Sequence, residues 1–196
     1  ITGQTLEEFL EERIIDPLGM KDTHFYLPHE KVDRLATVYS LYPDRLERAP
    51  DPGDMVGQGM YLNGPRKSFS GGAGLLSTAA DYFRFLQMLL NGGELDGVRI
   101  LSRKSVELMT TNHLRVIGGY TPGVGFGLGF TVLEELGTRG IPGSEGEYGW
   151  GGAYGSTYWV DPEEELVVVY FKQLRPSNNL DDREKLRSII YSSIID

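Results

Sequence analysis

The chain has 196 residues, 40% hydrophobic and 24% charged, which supplies apolar side chain for a real core and excludes wholesale disorder. Nineteen basic against 28 acidic residues give a net charge of −9 with no run of five basic residues, which argues against nucleic acid or an anionic membrane surface as partner. No apolar stretch reaches the roughly 18–20 residues of a spanning helix, and no signal peptide is visible. The absence of cysteine removes disulfides, thiolate metal sites and Cys nucleophiles together.

The chain begins at Ile1, not Met, so further residues are expected upstream, and Ile1-Thr2-Gly3 reads as the tail of an earlier element. Thr5 and Glu8 form a capping box, and Leu6, Phe9, Leu10 and Ile14 then recur on one helical face until Asp16-Pro17. From about Pro28 to Ser70 there is no clear periodicity. A second helix opens with a capping box of Thr78 and Asp81, shows a face of Phe83, Leu86 and Leu90, and stops at Asn91-Gly92-Gly93. Asp96-Gly97 predicts a tight turn, and Ser102 to Thr111 a third helix burying Val106 and Met109.

The period then changes to that of a strand. Phe126, Leu128, Phe130 and Val132 alternate with Gly123, Gly125, Gly127 and Gly129, giving one bulky face and one bare face where another backbone can approach. Ala153 to Val160 and Leu166 to Phe171 read as a hairpin across Asp161-Pro162-Glu163-Glu164, the second strand apolar on both faces. A last helix from about Asp181 carries a stripe of Leu186, Ile189, Ile190 and Ile194 that can cover one of those faces. The expected class is α+β, a helix–antiparallel sheet–helix sandwich. Residues 1–122 form its helical and loop portion, and residues 123–196 its strands and C-terminal helix.

Most chemistry-bearing patterns are missing. There is no phosphate loop and no G-x-G-x-x-G, because glycines at strand spacing cannot present a cradle of amides at a helix start. His29-Glu30-Lys31-Val32-Asp33 ends in Asp where the zinc helix needs a second His, so no metal and no cofactor is predicted. One constellation remains: Gly149-Trp150-Gly151-Gly152-Ala153-Tyr154-Gly155-Ser156, at or in a strand expected near the sheet edge. Glycines there let a substrate approach the main chain and leave amides free to donate to a developing oxyanion, as acyl transfer requires.

The order of motifs resembles that of the serine hydrolases related to class C beta-lactamases and low-molecular-weight penicillin-binding proteins. Pro17-Leu18-Gly19-Met20 with Asp22-Thr23 resembles their P-L-G-M-x-x-T signature. Ser70-Gly71-Gly72-Ala73-Gly74-Leu75-Leu76-Ser77-Thr78-Ala79-Ala80-Asp81 resembles their G-G-L-x-S-T-x-x-D segment, and Gly125-Phe126-Gly127-Leu128-Gly129-Phe130 their G-x-G-L-G-x strand. Trp150-Gly151-Gly152 falls where the family places its third motif, written K-T-G, H-x-G or W-G-G in different branches. The resemblance covers essentially the whole chain. It implies an acyl-enzyme mechanism, in which a Ser of S-x-x-K attacks the carbonyl, the Lys takes its proton, and a Tyr of Y-x-N passes protons to the leaving group. Carried onto this chain, Trp150, Gly151 and Gly152 are the third motif and the Ala153 N–H is the oxyanion donor.

No serine here has a Lys three residues on, and Tyr61-Leu62-Asn63, a Y-x-N by letter, stands after the first helix where the family places that motif before it. The expectation is therefore a C-terminal portion, inactive alone, that meets an upstream half or a second copy through an exposed sheet edge. Trp150 offers an apolar wall and no charge, which favours esters over carboxylate-bearing antibiotics, with Tyr154 and Tyr148 as candidate pocket walls. The alternatives are a non-catalytic homologue that binds cell-wall peptides or other ligands, and an unrelated α+β interaction domain.

Overall fold

The structure, a computed structural model, describes residues 2–51, 67–114, 121–176 and 180–195. Tyr61-Leu62-Asn63 lies outside the described residues. Helix α1 (Leu6–Leu10) begins with the predicted capping box: Thr5 Oγ1 accepts from Glu8 N–H at 3.2 Å and Glu8 Oε2 accepts from Thr5 N–H at 2.8 Å. The winding then widens to a π turn over Glu11–Ile15. More residues per turn rotate the buried face, so Ile15 enters the core one place beyond the last residue of the helical pattern, followed by Leu18 and Met20.

Two short strands, β1 (Tyr39–Leu41) and β2 (Leu46–Arg48), pair antiparallel within the aperiodic stretch. Helix α2 (Ala79–Leu90) follows, with Thr78 Oγ1 accepting from Asp81 N–H at 3.1 Å. Only half of its expected capping box serves as a cap. The Asp81 carboxylate turns away and accepts instead from Asp22 N–H at 2.7 Å and Thr23 Oγ1–H at 3.0 Å. The buried face is also rotated from expectation: Leu86, Met88 and Leu89 are sealed, whereas Phe83 is 42% exposed.

The turn at Asp96-Gly97 joins β3 (Glu94–Leu95) to β4 (Val98–Arg99), with both turn residues at positive φ as a type I′ hairpin needs. Helix α3 (Arg103–Met109) is capped by Ser102 and buries Val106, with Met109 half-buried.

The alternating-glycine segment is two strands where one was expected. The chain folds back between β5 (Val124–Phe126) and β6 (Thr131–Leu133), closed by Gly127 N–H donating to Phe130 C=O at 2.8 Å. The bare face has the predicted use. A Cβ on Gly125 would sit 2.1 Å from Asn112 Cγ, and one on Gly127 2.1 Å from the Met109 carbonyl oxygen.

Strands β7 (Tyr148–Gly151), β8 (Thr157–Asp161) and β9 (Leu166–Tyr170) complete an antiparallel sheet in the order β5-β6-β7-β8-β9. Helix α2 packs on β8 and β9, with Tyr82 against Tyr158 at 5.0 Å and Phe171 at 5.8 Å between ring centroids. On that face Phe130, Val132, Tyr148, Tyr158 and Val160 join Leu86 and Leu89 in one core. Beyond β9, β10 (Leu174–Arg175) pairs parallel with β1, so the small sheet runs β10-β1-β2.

Helix α4 (Asp182–Tyr191) covers the opposite face, but not with the predicted stripe. Ile189 is 67% exposed, while Arg187 is 2% exposed and turned inward. The reason is ionic. Arg187 forms a close pair with the buried Glu147, donates from Nε to the Pro142 carbonyl at 2.6 Å, and lies over the Trp159 ring with Cζ 4.9 Å from its centroid. Tyr191 Oη is within 2.9 Å of Glu147 and 2.7 Å of Asp161. Two buried carboxylates need donors more than the sheet needs another isoleucine.

Candidate active site

Strand β7 carries Trp150 and Gly151, with Gly152 directly after it, and its pairing explains why they are accessible. It is flanked by β6 and β8, so it is not an edge strand along its whole length. The β6 register stops at Thr131↔Gly149, however, while β8 continues to Thr157↔Gly151. Trp150 and Gly151 therefore run past the end of β6 with a partner strand on one side only, although β7 is the central strand of the sheet and not near its edge as expected.

Gly149 admits β8 at close range: a Cβ there would lie 2.4 Å from the Tyr158 carbonyl oxygen. After Gly151, Gly152 N–H donates to Ser156 C=O at 2.8 Å and Gly155 N–H to Gly152 C=O at 3.0 Å, which folds Ala153 and Tyr154 into a tight loop. The Ala153 N–H makes no hydrogen bond with the described residues, and Ala153 is exposed. A main-chain donor held at a strand end with no acceptor of its own can bind a carbonyl oxygen or an oxyanion.

The remaining predicted residues separate. Trp150 is 38% exposed and meets Phe126 edge-on, centroids 5.0 Å apart at 89°, forming an apolar step beside the loop. Tyr154 is half-buried; its carbonyl accepts from Leu174 N–H at 2.9 Å and its ring lies under Arg175. Tyr148 does not line the site: it is 3% exposed, 5.3 Å from Phe130 between centroids, and burial pushes its phenol pKa above the usual value. By strand alternation it shares a face with Trp150, but it lies under the helices where Trp150 projects past them.

Sequence reading marks no role for Phe126 or Arg175. Phe126 is visible only as a letter of its motif, and Arg175 meets Tyr154 through a loop contact beside Leu174 that no local pattern announces.

The other two motif segments hold each other. The Asp81 carboxylate receives Asp22 N–H and the Thr23 hydroxyl, Ser77 Oγ stands 2.8 Å from Thr23 Oγ1, and the backbones of His24 and Leu76 exchange bonds of 2.9 and 2.8 Å. Thr23 is 1% exposed, so the cluster is a structural latch between α1 and α2. Outside it, Arg34 and then Lys31 hold the Asp22 carboxyl well below the usual carboxylate range. Hollows of about 410 and 450 Å³ lie elsewhere, beside Asn112 and Glu134 and along Glu184 and Ser188 of α4. Neither includes the β7 loop.

Comparison with known proteins shows the family. The family model described as Beta-lactamase matches residues 1–190. An uncharacterised protein of Mycobacterium tuberculosis is 37% identical over 193 residues, 92% of this chain and 46% of that protein. Lovastatin esterase of Penicillium rubens is 31% identical over 199 residues, 86% of this chain and 45% of the esterase. Among solved structures, EstCE1, a hydrolase with promiscuous acyltransferase activity, superposes with a TM-score of 0.80 at 27% identity, over 96% of this chain and 51% of its own. The chain thus spans about half the length of the curated relatives it matches. A match over residues 1–190, on a sheet sandwiched between helices, shows that the chain belongs to the beta-lactamase family.

Proposed function

We propose that this chain is part of a serine hydrolase that cleaves ester or amide bonds through an acyl-enzyme, with esters favoured. Trp150, Gly151 and Gly152 serve as its third motif. The Ala153 N–H is one oxyanion donor, and the N–H of the nucleophilic serine is the other. The observation that carries this reading is the unpartnered Ala153 amide where β7 outruns β6. Relatives named as esterases support it.

Within the 196 residues no S-x-x-K occurs, so the serine and its lysine come from another part of a longer polypeptide, and the chain alone is inactive. In isolation its open β9 edge pairs with a second copy. At Trp150 the substrate presents an uncharged group, against the indole and the Phe126 ring.

The test uses the polypeptide that includes the upstream residues. It hydrolyses nitrophenyl butyrate in a phosphonate-sensitive way, and Ala153→Pro, which deletes the N–H, lowers kcat by about 100-fold or more, whereas Ala153→Ser keeps the donor and most of the rate. A proline variant as fast as the parent would remove the oxyanion assignment. Turnover by the 196 residues alone would remove the division of labour.

A further inference from the structure

Strand β5 ends the five-stranded sheet, and an edge strand needs partners for the N–H and C=O groups that point away from its neighbour. The C-terminal end of α3 and the residues after it supply them. Leu128 N–H donates to the Met109 carbonyl at 2.8 Å, and His113 N–H to the Phe126 carbonyl at 2.8 Å. Phe126 N–H donates to a side chain instead, reaching Asn112 Oδ1 at 3.1 Å. Asn112 is 9% exposed, and its amide stands where the carbonyl of a further strand would stand. Gly125 is bare to admit it, since a Cβ there would lie 2.1 Å from Asn112 Cγ.

A buried amide is costly unless its polar atoms are bonded, and here both are. Oδ1 also accepts from Leu114 N–H at 2.8 Å, and Nδ2 donates to the Glu134 carboxylate at 2.6 Å. A leucine would fill the same space and leave Phe126 N–H without its acceptor. Both backbone polar groups of Phe126 are therefore fixed from outside the sheet, and the direction of its ring with them. That ring meets Trp150, two strands away, edge-on with centroids 5.0 Å apart. Because β6 stops at Thr131↔Gly149, Trp150 has no strand partner on that side, and the Phe126 ring stands there in its place.

We infer that Asn112 is a positioning residue of the site: acting through Phe126, it holds the Trp150 indole beside the loop that carries the Ala153 amide. The inference rests on the hydrolase reading and adds to it a residue from the far edge of the sheet. The buried amide fixes the apolar wall, and the wall sets how tightly the substrate's uncharged group is gripped while its carbonyl sits at the Ala153 N–H. The effect falls on discrimination by acyl size, since a methylene gains from a wall that is fixed against it and little from one that yields.

The polypeptide that includes the upstream residues is assayed with nitrophenyl acetate and nitrophenyl butyrate. Acrylamide quenching of its fluorescence is measured beside it, the Trp150 signal being the part lost in Trp150→Phe. In Asn112→Leu the butyrate-to-acetate ratio of kcat/KM is expected to fall about fivefold, and Trp150 to be quenched more readily. Phe126→Leu should do the same, and the two together no more than either alone, because both act through one contact. Asn112→Asp sets a second carboxylate against Glu134 and should lower the ratio, whereas adding Glu134→Gln restores the donor–acceptor pair in reverse and most of the ratio with it. General damage to the fold lowers both esters together. An unchanged ratio or unchanged quenching in Asn112→Leu overturns the positioning role. Where that variant does not fold, the aspartate variant decides, and failure of Glu134→Gln to rescue it overturns the role equally. A parent that hydrolyses neither ester overturns the hydrolase reading, while quenching alone still shows whether Asn112 places Trp150.

Discussion

The two faces of the five-stranded sheet are closed by different physics. Toward α2 the contact is apolar: Leu86 and Leu89 press on Phe130, Val132, Tyr148 and Val160, with Tyr82 stacked beside Tyr158. Toward α4 it is ionic: Arg187, Glu147, Tyr191 and Asp161 form one buried cluster over Trp159. Apolar burial is additive and forgiving, because a shortened side chain leaves only a cavity. A buried ion pair depends on both members, because removing one strands the other. Strand β7 is held between the two regimes, with Tyr148 on the apolar side and Glu147, one residue earlier, on the ionic side.

Single substitutions separate the faces. Arg187→Ala leaves the buried Glu147 with only the longer 3.6 Å contact to Arg139 as ion pair and is expected to cost about 4 kcal/mol of unfolding free energy in urea denaturation, of which Glu147→Gln in the same chain restores a substantial part. Lack of rescue would mean that the pair is held by packing and that the faces do not differ in kind. On the other side, Leu86→Ala is expected to cost about 3 kcal/mol through lost burial and a residual cavity, with no rescue from substitutions on the ionic face.

The smallest effect is reached by pH and sharpens the contrast. Burial raises the phenol pKa values of Tyr158 and Tyr148 on the apolar face, and burial with the Asp161 hydrogen bond raises that of Tyr191 on the ionic face. A folded-state pKa above the unfolded value gives stability that is full below the unfolded value and lost as pH rises past it. Stability is therefore expected to fall once pH exceeds about 10, the ordinary phenol value. Tyr158→Phe and Tyr191→Phe should each blunt that loss, as read by urea midpoints against tyrosinate absorbance.

Local rules account for the elements that were legible. The Thr5–Glu8 box and the Ser102 cap depend on side chains reaching their own backbone, and the Asp96-Gly97 turn on its own φ angles, so sequence neighbours suffice to predict them. Partnership misled where a residue had a distant competitor. Asp81 has the spacing to complete a cap, but Asp22 and Thr23 claim its carboxylate. The isoleucine stripe of α4 has the spacing of a buried face, but Arg187 and Tyr191 take that face because Glu147 and Asp161 wait beneath them. The site divides in the same way. Trp150 to Ala153 are proposed from glycines at a strand start, whereas the burial of Tyr148 and the tie of Leu174 to Tyr154 depend on how the strands pack.

What the sequence by itself determined is the succession of elements, the family pattern and the position of the glycine-rich loop, all of which are encoded within a few residues of one another. Only the tertiary structure decided that β7 outruns β6, that the Ala153 amide has no acceptor among the described residues, and that Leu174 of β10 is tied to the next residue of the loop. Hydrogen-bond register and charge pairing are settled between segments far apart in the chain, where no local spacing records the competition.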